Sequence, residues 1–346
     1  MKYLVQSKQT FFLLISKNWH FHVKAPESSW IFGAFNSSSK RQFSMKSTLK
    51  TAMDSEIHVP ISFGAAFDKS KYSLAPHEDQ LQLRNAHGLD VKMRFDAQQH
   101  KYFFEDVPLT YSVTELIGLF SEKFDSDAAI QLMKNGSRWP RPEYTMRNGT
   151  IWTDHQIKQF WDAMAMFARN RGSWMHYNIE RYWNGLTPAN EVPEIGMFYK
   201  FQEEVLQKND ISPWRTEWRI CDPSLSLAGS VDFVGRKLDG TFVLVDWKRT
   251  KRLATTQRGR SKKMKAPLDH LDDTELSKYS LQLNVYRYIL QKHYGITVSS
   301  MILGVFHPTF TEYSSIEVPV LEKETLNLLD HISCITSYDR KVEVAT

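Results

Sequence analysis

Gly229-Ser230-Val231-Asp232-Phe233-Val234, the turn-forming Leu238-Asp239-Gly240-Thr241, and Val243-Leu244-Val245-Asp246-Trp247-Lys248 make up the stretch on which the fold turns. Both flanks are apolar runs of strand length that retain a few charges, and Asp-Gly between them is a hairpin signal. On the first strand Val231 and Phe233 share a face opposite Ser230 and Asp232. On the second, Val243, Val245 and Trp247 share a face opposite Asp246 and Lys248. If both apolar sets line one core, paired positions must have an even sum. A two-residue turn at Asp239-Gly240 pairs Leu238 with Thr241 and throws Asp232 onto the face of Trp247. A three-residue loop, with Gly240 or a neighbour at positive φ, pairs Leu238 with Phe242, sets Asp232 opposite Lys248 and leaves Asp246 on the diagonal. Two carboxylates and one ammonium then converge on one polar face.

That convergence has a chemical use. Hard divalent cations take oxygen ligands, so Asp232, Asp246 and the main-chain carbonyl of Trp247 could hold Mg²⁺ or Mn²⁺, with water and a substrate phosphate completing the shell. Lys248 beside the ion could orient or deprotonate the attacking water and offset charge on the phosphate, as phosphodiester hydrolysis requires. The acid-x-Lys pattern alone is common: Asp90-Val91-Lys92 and Asp339-Arg340-Lys341 read as solvated positions. What sets Asp246-x-Lys248 apart is its apolar strand and the partner Asp232, because charges on such strands are costly without a use.

Outward from the hairpin, the period of the apolar residues gives the rest of the order. Before it, Leu89, Val91, Met93 and Phe95 alternate with polar residues and Tyr102 to Phe104 follow, predicting a small β-hairpin. Helices are predicted over 110–120, 126–134, a long stretch opening at Thr153 and broken near Arg171-Gly172-Ser173, and 189–207. Strand-like runs cover 214–220, 227–234 and 242–247. A helix over 275–293, a buried strand over 301–306 and a last helix near 321–332 complete the chain. The fold class is α/β with a mixed central sheet flanked by helices and an added, mainly helical N-terminal subdomain. The implied division is a leader over 1–50, a linker over 51–87, a hairpin plus helical subdomain over 88–170 and a catalytic core over 171–340.

Four segments, in order, resemble the PD-(D/E)XK nuclease superfamily, and within it the RecB-like exonucleases, a group that includes the mitochondrial genome maintenance exonucleases. Gly172-Ser173-Trp174-Met175-His176 with Glu180 resembles the Gly-x-x-x-His helix; Gly229-Ser230-Val231-Asp232 the Gly-x-x-Asp strand; Asp246-Trp247-Lys248 the Asp-x-Lys strand; and Gln282-Leu283-Asn284-Val285-Tyr286 the Gln-x-x-x-Tyr helix. Each piece is common, whereas four in order are specific. The resemblance implies a restriction-endonuclease-like fold, metal-dependent phosphodiester hydrolysis, His176 as a further metal ligand, and supporting roles for Glu180, Glu217, Gln282 and Tyr286. Other readings stand beside these. Glu180 or Glu217 can simply pair with Arg181, Arg215 or Arg219, and Tyr279, Leu283, Tyr286 and Leu290 also form an apolar stripe. The cysteine quartet that holds an iron-sulfur cluster in some relatives is lacking, since the chain has two cysteines, so no such cluster is expected.

Charge adds a partner. Lys248 to Lys265 contains nine bases and no acid. Arg249, Lys251, Arg252, Arg258, Arg260, Lys262, Lys263 and Lys265 are expected to clamp a phosphate backbone over the polar face. The aromatics Trp139, Trp152, Phe160, Trp161 and Phe167 offer either stacking platforms for single-stranded bases or core packing. Of the formal net charge of +5, the first fifty residues contribute +7, with eight bases against one acid, and the rest of the chain −2. Those residues also hold nine serines, a composition expected of a mitochondrial transit peptide; Arg41-Gln42-Phe43-Ser44 suggests cleavage before Ser44. A disordered basic arm, or translation from Met45 or Met53, is the other reading. No window approaches the roughly 18 apolar residues of a membrane span. The expected activity is a DNA exonuclease on single-stranded or flapped ends in the mitochondrial matrix. A structure-specific endonuclease and an inactive nucleic-acid-binding protein are the alternatives.

Overall fold

The computed structural model describes residues 73–146, 148–188, 192–251, 253 and 262–345. The leader over 1–50, most of the linker, and Arg252, Arg258 and Arg260 lie outside the described residues.

The central sheet is built on three long strands, β5 (Ser212–Asp222), β6 (Leu227–Arg236) and β7 (Phe242–Lys248). β5 and β6 pair antiparallel along their length, and β7 joins β6 antiparallel from Arg236↔Phe242 to Phe233↔Val245. The chain then crosses by α6 (Glu275–His293) to β8 (Val298–Val305), which lies parallel to β7, and β9 (Ser314–Glu317) closes that edge antiparallel. On the other flank, β4 (Tyr111–Ser112) pairs parallel with Leu227 and Ala228. The sheet is therefore mixed, as expected from the pattern. α7 (Glu322–Ala345) ends the chain.

Apolar side chains close both faces. One core joins Leu244 and Val234 to Val113, Leu116 and Ile117 of α2 (Val113–Leu119), to Leu281, Val285 and Ile289 of α6, and to Leu328 and Leu329 of α7. The other joins Phe233, Val243, Val245 and Trp247 to Met175 and Ile179 of α4 (Asp154–Trp183) and to Phe198 and Phe201 of α5 (Ile195–Phe201). A third, smaller cluster of Ile130, Tyr144, Trp152, Ile157 and Phe160 packs α3 (Ser126–Lys134) on the first half of α4. It buries Trp152 and Phe160, which turns those two away from base stacking.

Several expectations need correction. The helix predicted to break near Gly172 runs unbroken from Asp154 to Trp183, so the expected boundary at 170/171 falls inside it. A lone glycine weakens a helix by roughly 1 kcal/mol but, unlike proline, removes no hydrogen bond. α2 belongs to the main core, not to a separate subdomain. The last residues of the expected linker form α1 (Gln80–Arg84), whose Leu81 is buried and donates its backbone N–H to Asn184 at 2.9 Å. The N-terminal hairpin, β1 (Met93–Asp96) with β2 (Lys101–Phe104), starts later than predicted because Asp90–Lys92 form a 3₁₀ turn; the two-residue β3 (Val107–Pro108) extends it.

The β6–β7 loop decides the register. Lys237 N–H donates to Thr241 O at 2.8 Å and Gly240 N–H to Lys237 O at 3.1 Å, so the loop is Leu238-Asp239-Gly240, with Gly240 at φ +83°. The pair sum stays even, but each strand is displaced by one residue from expectation. The Asp239 carboxylate drives this closure by accepting from Thr241 N and Oγ1 at 2.8 and 2.7 Å. The next pair in register after Phe233↔Val245 is then Asp232 and Asp246, not Asp232 and Lys248.

Candidate functional site

Asp232 and Asp246 stand where β6 and β7 stop pairing. The ladder ends at Phe233↔Val245, and the carboxylate of Asp232 takes over, its Oδ2 accepting the Trp247 N–H at 2.8 Å. A side chain thus satisfies a backbone donor that the diverging strands leave behind.

The strand on the far side of β6 is irregular at the same level. Thr216↔Phe233 and Trp218↔Val231 pair with one constant sum, which brings Glu217 opposite Asp232. Glu217 has φ +43°, the left-handed region, which costs an ordinary residue of order 1–3 kcal/mol and persists only where surroundings enforce it. The alternation of faces breaks there. Val231 packs in the α6-side core with Val234, whereas Phe233 packs in the α4-side core, so the expected shared face of Val231 and Phe233 is not found. Val243, Val245 and Trp247 do share theirs.

His176, from the α4 helix, completes the group. Its Nδ1 lies 3.4 Å from Glu217 Oε1 and 3.6 Å from Asp232 Oδ1, and its Nε2 lies 2.8 Å from the Trp247 carbonyl oxygen. A carbonyl only accepts, so Nε2 carries the hydrogen and Nδ1 faces the carboxylates; such a bond orients a metal-binding imidazole. Burial opposes charge on His176, but Asp232 and Glu217 outweigh it and hold its pKa well above the ordinary value. The Trp247 carbonyl, expected as a metal ligand, accepts from His176 and orients its imidazole. Ligand atoms of His176, Glu217 and Asp232 lie within 4.8 Å of one another. One imidazole nitrogen and two carboxylates suit a divalent cation.

Asp246 and Lys248 face α6. Lys248 Nζ lies 2.7 Å from Asp246 Oδ2, donates to Gln282 Oε1 at 3.4 Å, and sits 4.2 Å from the centre of the Tyr279 ring. Gln282 Nε2 in turn donates to the Tyr286 hydroxyl at 2.8 Å. Gln282 and Tyr286 therefore form one chain of contacts ending on Lys248. Gly229 makes room for it, since a Cβ there would lie 2.5 Å from Tyr286 Cε1. Gly172, the first residue of the other glycine motif, has open space where a Cβ would go.

The two aspartates differ sharply in their surroundings. For Asp232, burial is outweighed by His176, Lys248 and the Trp247 N–H, and the carboxyl stays below its ordinary value. For Asp246, burial dominates the pull of Lys248, and the charge of Asp232 adds to it, lifting the carboxyl to about 7. Apart from the ion pair with Lys248, both Asp246 oxygens are buried without a hydrogen-bond partner. Such oxygens have capacity for a proton, a water or an additional cation. The ammonium of Lys248 opposes its own burial through Asp246 and Asp232, which raise its pKa and keep it charged.

Glu180 lies one turn beyond His176 with 8% of its surface exposed. Burial first, then the charges of Glu217 and Asp79, push its carboxyl to about 9. No ion pair with Arg181 forms there. Tyr102 of β2, which sequence reasoning missed, stands in the same field: burial and Glu217 raise its phenol above the ordinary range.

Several bases of the run expected to clamp a phosphate backbone are engaged within the fold. Arg249 is buried and ion-paired through Nε with Glu194 at 2.5 Å, with side-chain exposures of 7% and 2%. It anchors the end of β7 and cannot swing onto a phosphate. Lys262 pairs with Glu122 at 2.6 Å, Lys263 with Asp272 at 2.8 Å, and Lys265 Nζ donates to the Leu119 carbonyl at 3.2 Å; Lys251 is exposed. Their partners lie far along the chain or across the loop, so a sequence window holding no acid conceals them.

No family model matches the chain, and no curated protein matches it. Among solved structures it is similar to SSO0001, at 10% identity over 66% of this chain and 76% of that one, with a TM-score of 0.27. It is also similar to a protein of Eubacterium rectale described as a candidate exonuclease, at 13% identity over 68% of this chain and 69% of that one, with a TM-score of 0.30. Similarity at these levels carries no argument about chemistry, which rests on the residues above. Among the described residues no helix is long and apolar enough to cross a membrane.

Proposed function

We propose that the protein is a metal-dependent DNA nuclease of the PD-(D/E)XK type, acting as an exonuclease on single-stranded or flapped ends in mitochondria. One observation carries this reading: His176, Glu217 and Asp232 meet at the point where Asp246 and Lys248 emerge from the paired strands. Asp232, Glu217 and His176 would hold the cation, Mg²⁺ or Mn²⁺, with Asp246 beside them. The bound ion would supply Lewis-acid polarisation of the phosphate and a more acidic water. Lys248, fixed between Asp246 and Gln282, places a positive charge beside the scissile phosphate and, through its amine, a group able to orient the attacking water. Burial of the Asp232 and Asp246 side chains, 10% and 2% exposed, strengthens their electrostatic interactions, while His176 and Glu217, 24% and 32% exposed, leave the centre open to a substrate. The mitochondrial address rests on the leader composition alone.

The test uses the purified chain with end-labelled linear single-stranded, duplex and closed circular single-stranded DNA, with and without Mg²⁺ or Mn²⁺. Metal-dependent shortening of linear strands with circles spared is expected. Rapid nicking of circles would replace the exonuclease with the endonuclease, and no cleavage of any substrate with either ion would reject the nuclease.

A further inference from the structure

The sequence pattern around Asp90 is that of a solvated position, yet only 9% of its side chain is exposed. Its Oδ2 accepts from Arg215 Nη1 at 2.7 Å and from the His87 N–H at 2.9 Å, and its Oδ1 accepts from Trp218 Nε1 at 2.8 Å. Arg215 and Trp218 are three positions apart on β5. In a regular strand an odd separation points two side chains to opposite faces, and one carboxylate could not hold both. Here it does, because Glu217 between them is left-handed at φ +43° and reverses the alternation. The clamp and the kink occur at the same place on β5. The guanidinium of Arg215 also stacks 4.5 Å from the Trp218 ring and donates to Asn85 O at 3.0 Å, while Asn85 Nδ2 donates to Trp214 O at 2.8 Å. The kink is thus fastened from the segment preceding β1, more than 120 residues away in sequence.

We propose that Asp90 is a positioning residue for the metal centre: by tying Arg215 to Trp218 it holds the left-handed turn that aims Glu217 at His176 and Asp232. The inference rests on the metal-centre reading of the previous subsection and names the device that completes its donor set. Asp232 and His176 are placed by β6 and α4, whereas Glu217 reaches them only through a backbone conformation that an ordinary residue resists.

Mn²⁺ binding to the full chain, followed by the electron-spin resonance of free Mn²⁺, tests this without reference to cleavage. Asp90→Asn should weaken Mn²⁺ binding about tenfold or more, as loss of groups that orient metal ligands does. Trp218→Phe, which deletes one indole N–H and keeps an aromatic ring, should weaken it in the same direction, and carries the test alone should Asp90→Asn fail to fold. In a Glu217→Gln background, Asp90→Asn should cause no further loss, because the residue through which it acts is already disabled. Unchanged Mn²⁺ affinity in both single variants would overturn the inference and leave the nuclease reading standing. The same loss in the Glu217→Gln background would overturn it too, as general distortion. Absence of Mn²⁺ binding by the wild-type chain would overturn both readings together.

Discussion

On the side of β7 that faces α4, Asp232 is a held anion: a backbone N–H on one oxygen, an imidazole near the other, and a carboxyl kept below its ordinary value. On the side that faces α6, Asp246 has neither oxygen hydrogen-bonded, one ammonium for company, and a carboxyl lifted to about 7. The two aspartates are neighbours in register, so the difference comes from what each face brings to them and not from the strands themselves. The α4 side brings ligand atoms of His176, Glu217 and Asp232 within 4.8 Å of one another, an arrangement compatible with a divalent cation. The α6 side is organised around Lys248, with Gln282, Tyr279 and Tyr286 fixing where that ammonium points.

The largest expected effect separates these halves. Lys248→Ala should lower the cleavage rate by roughly 10²- to 10⁴-fold at saturating Mn²⁺ while the protein still binds the ion, because a group that acts on water or phosphate is lost and the donor set is kept. Asp232→Asn should lose Mn²⁺ binding and cleavage together. Parallel measurement of Mn²⁺ affinity and rate checks both. A Lys248→Ala variant that no longer binds Mn²⁺ would erase the distinction between the two sides.

What could be read in advance follows the range of the forces involved. Strands β5 to β7 and helix α6 were legible because period-2 and period-3.6 patterns are local, and Asp232, Asp246 and Lys248 stood out as charges on apolar strands. The register was missed by one residue per strand, because a single side chain, Asp239, selects which residues close the turn. Strand β4, two residues long, has no period to detect. The kink at Glu217 and the clamp at Asp90 were illegible for a deeper reason. No local pattern makes a glutamate left-handed; the cause is an aspartate that only the folded chain brings near. Arg249 shows the same limit, since its buried partner Glu194 lies 55 positions away.

A second test concerns the cost of organising the α4 side. The Glu180 carboxyl moves from its ordinary value of 4.5 to about 9 in the fold, mainly through burial and the charge of Glu217. A raised folded pKa means that the native state holds the proton more tightly than the unfolded chain. That contribution to stability is whole below about pH 4.5, declines as pH rises, and is gone above about 9. Urea midpoints of the metal-free protein at pH 5, 7 and 9 should therefore fall with pH, Asp246 contributing in the lower part of the range. Glu180→Gln should make the decline shallower. An identical decline in the variant would show that Glu180 is not held protonated by the fold beside the site.

The smallest effect sharpens the comparison through two glycines that sequence treats alike. Gly172 belongs to the helix that bears His176, Gly229 to the strand that bears Asp232, and each opens a motif of the same form. At Gly229 a Cβ would sit 2.5 Å from Tyr286 Cε1 and 3.0 Å from its hydroxyl, and Tyr286 is itself buried between strand and helix with little room to retreat. Gly229→Ala should therefore destabilise by about 1–3 kcal/mol, the usual cost of forcing extra volume into a packed core. It should also slow cleavage, because Tyr286 cannot move without carrying Gln282 and the Lys248 contact with it. At Gly172 a Cβ meets nothing within 4 Å and the backbone is helical, so Gly172→Ala should stabilise by about 0.5–1 kcal/mol through reduced freedom of the unfolded chain. Urea denaturation of the two variants beside wild type gives opposite signs if the α6 side is tightly fitted and the α4 helix is not. Equal losses would mean that α4 is packed as closely over its middle as α6 is over Gly229, and that the contrast between the two sides stops at their electrostatics.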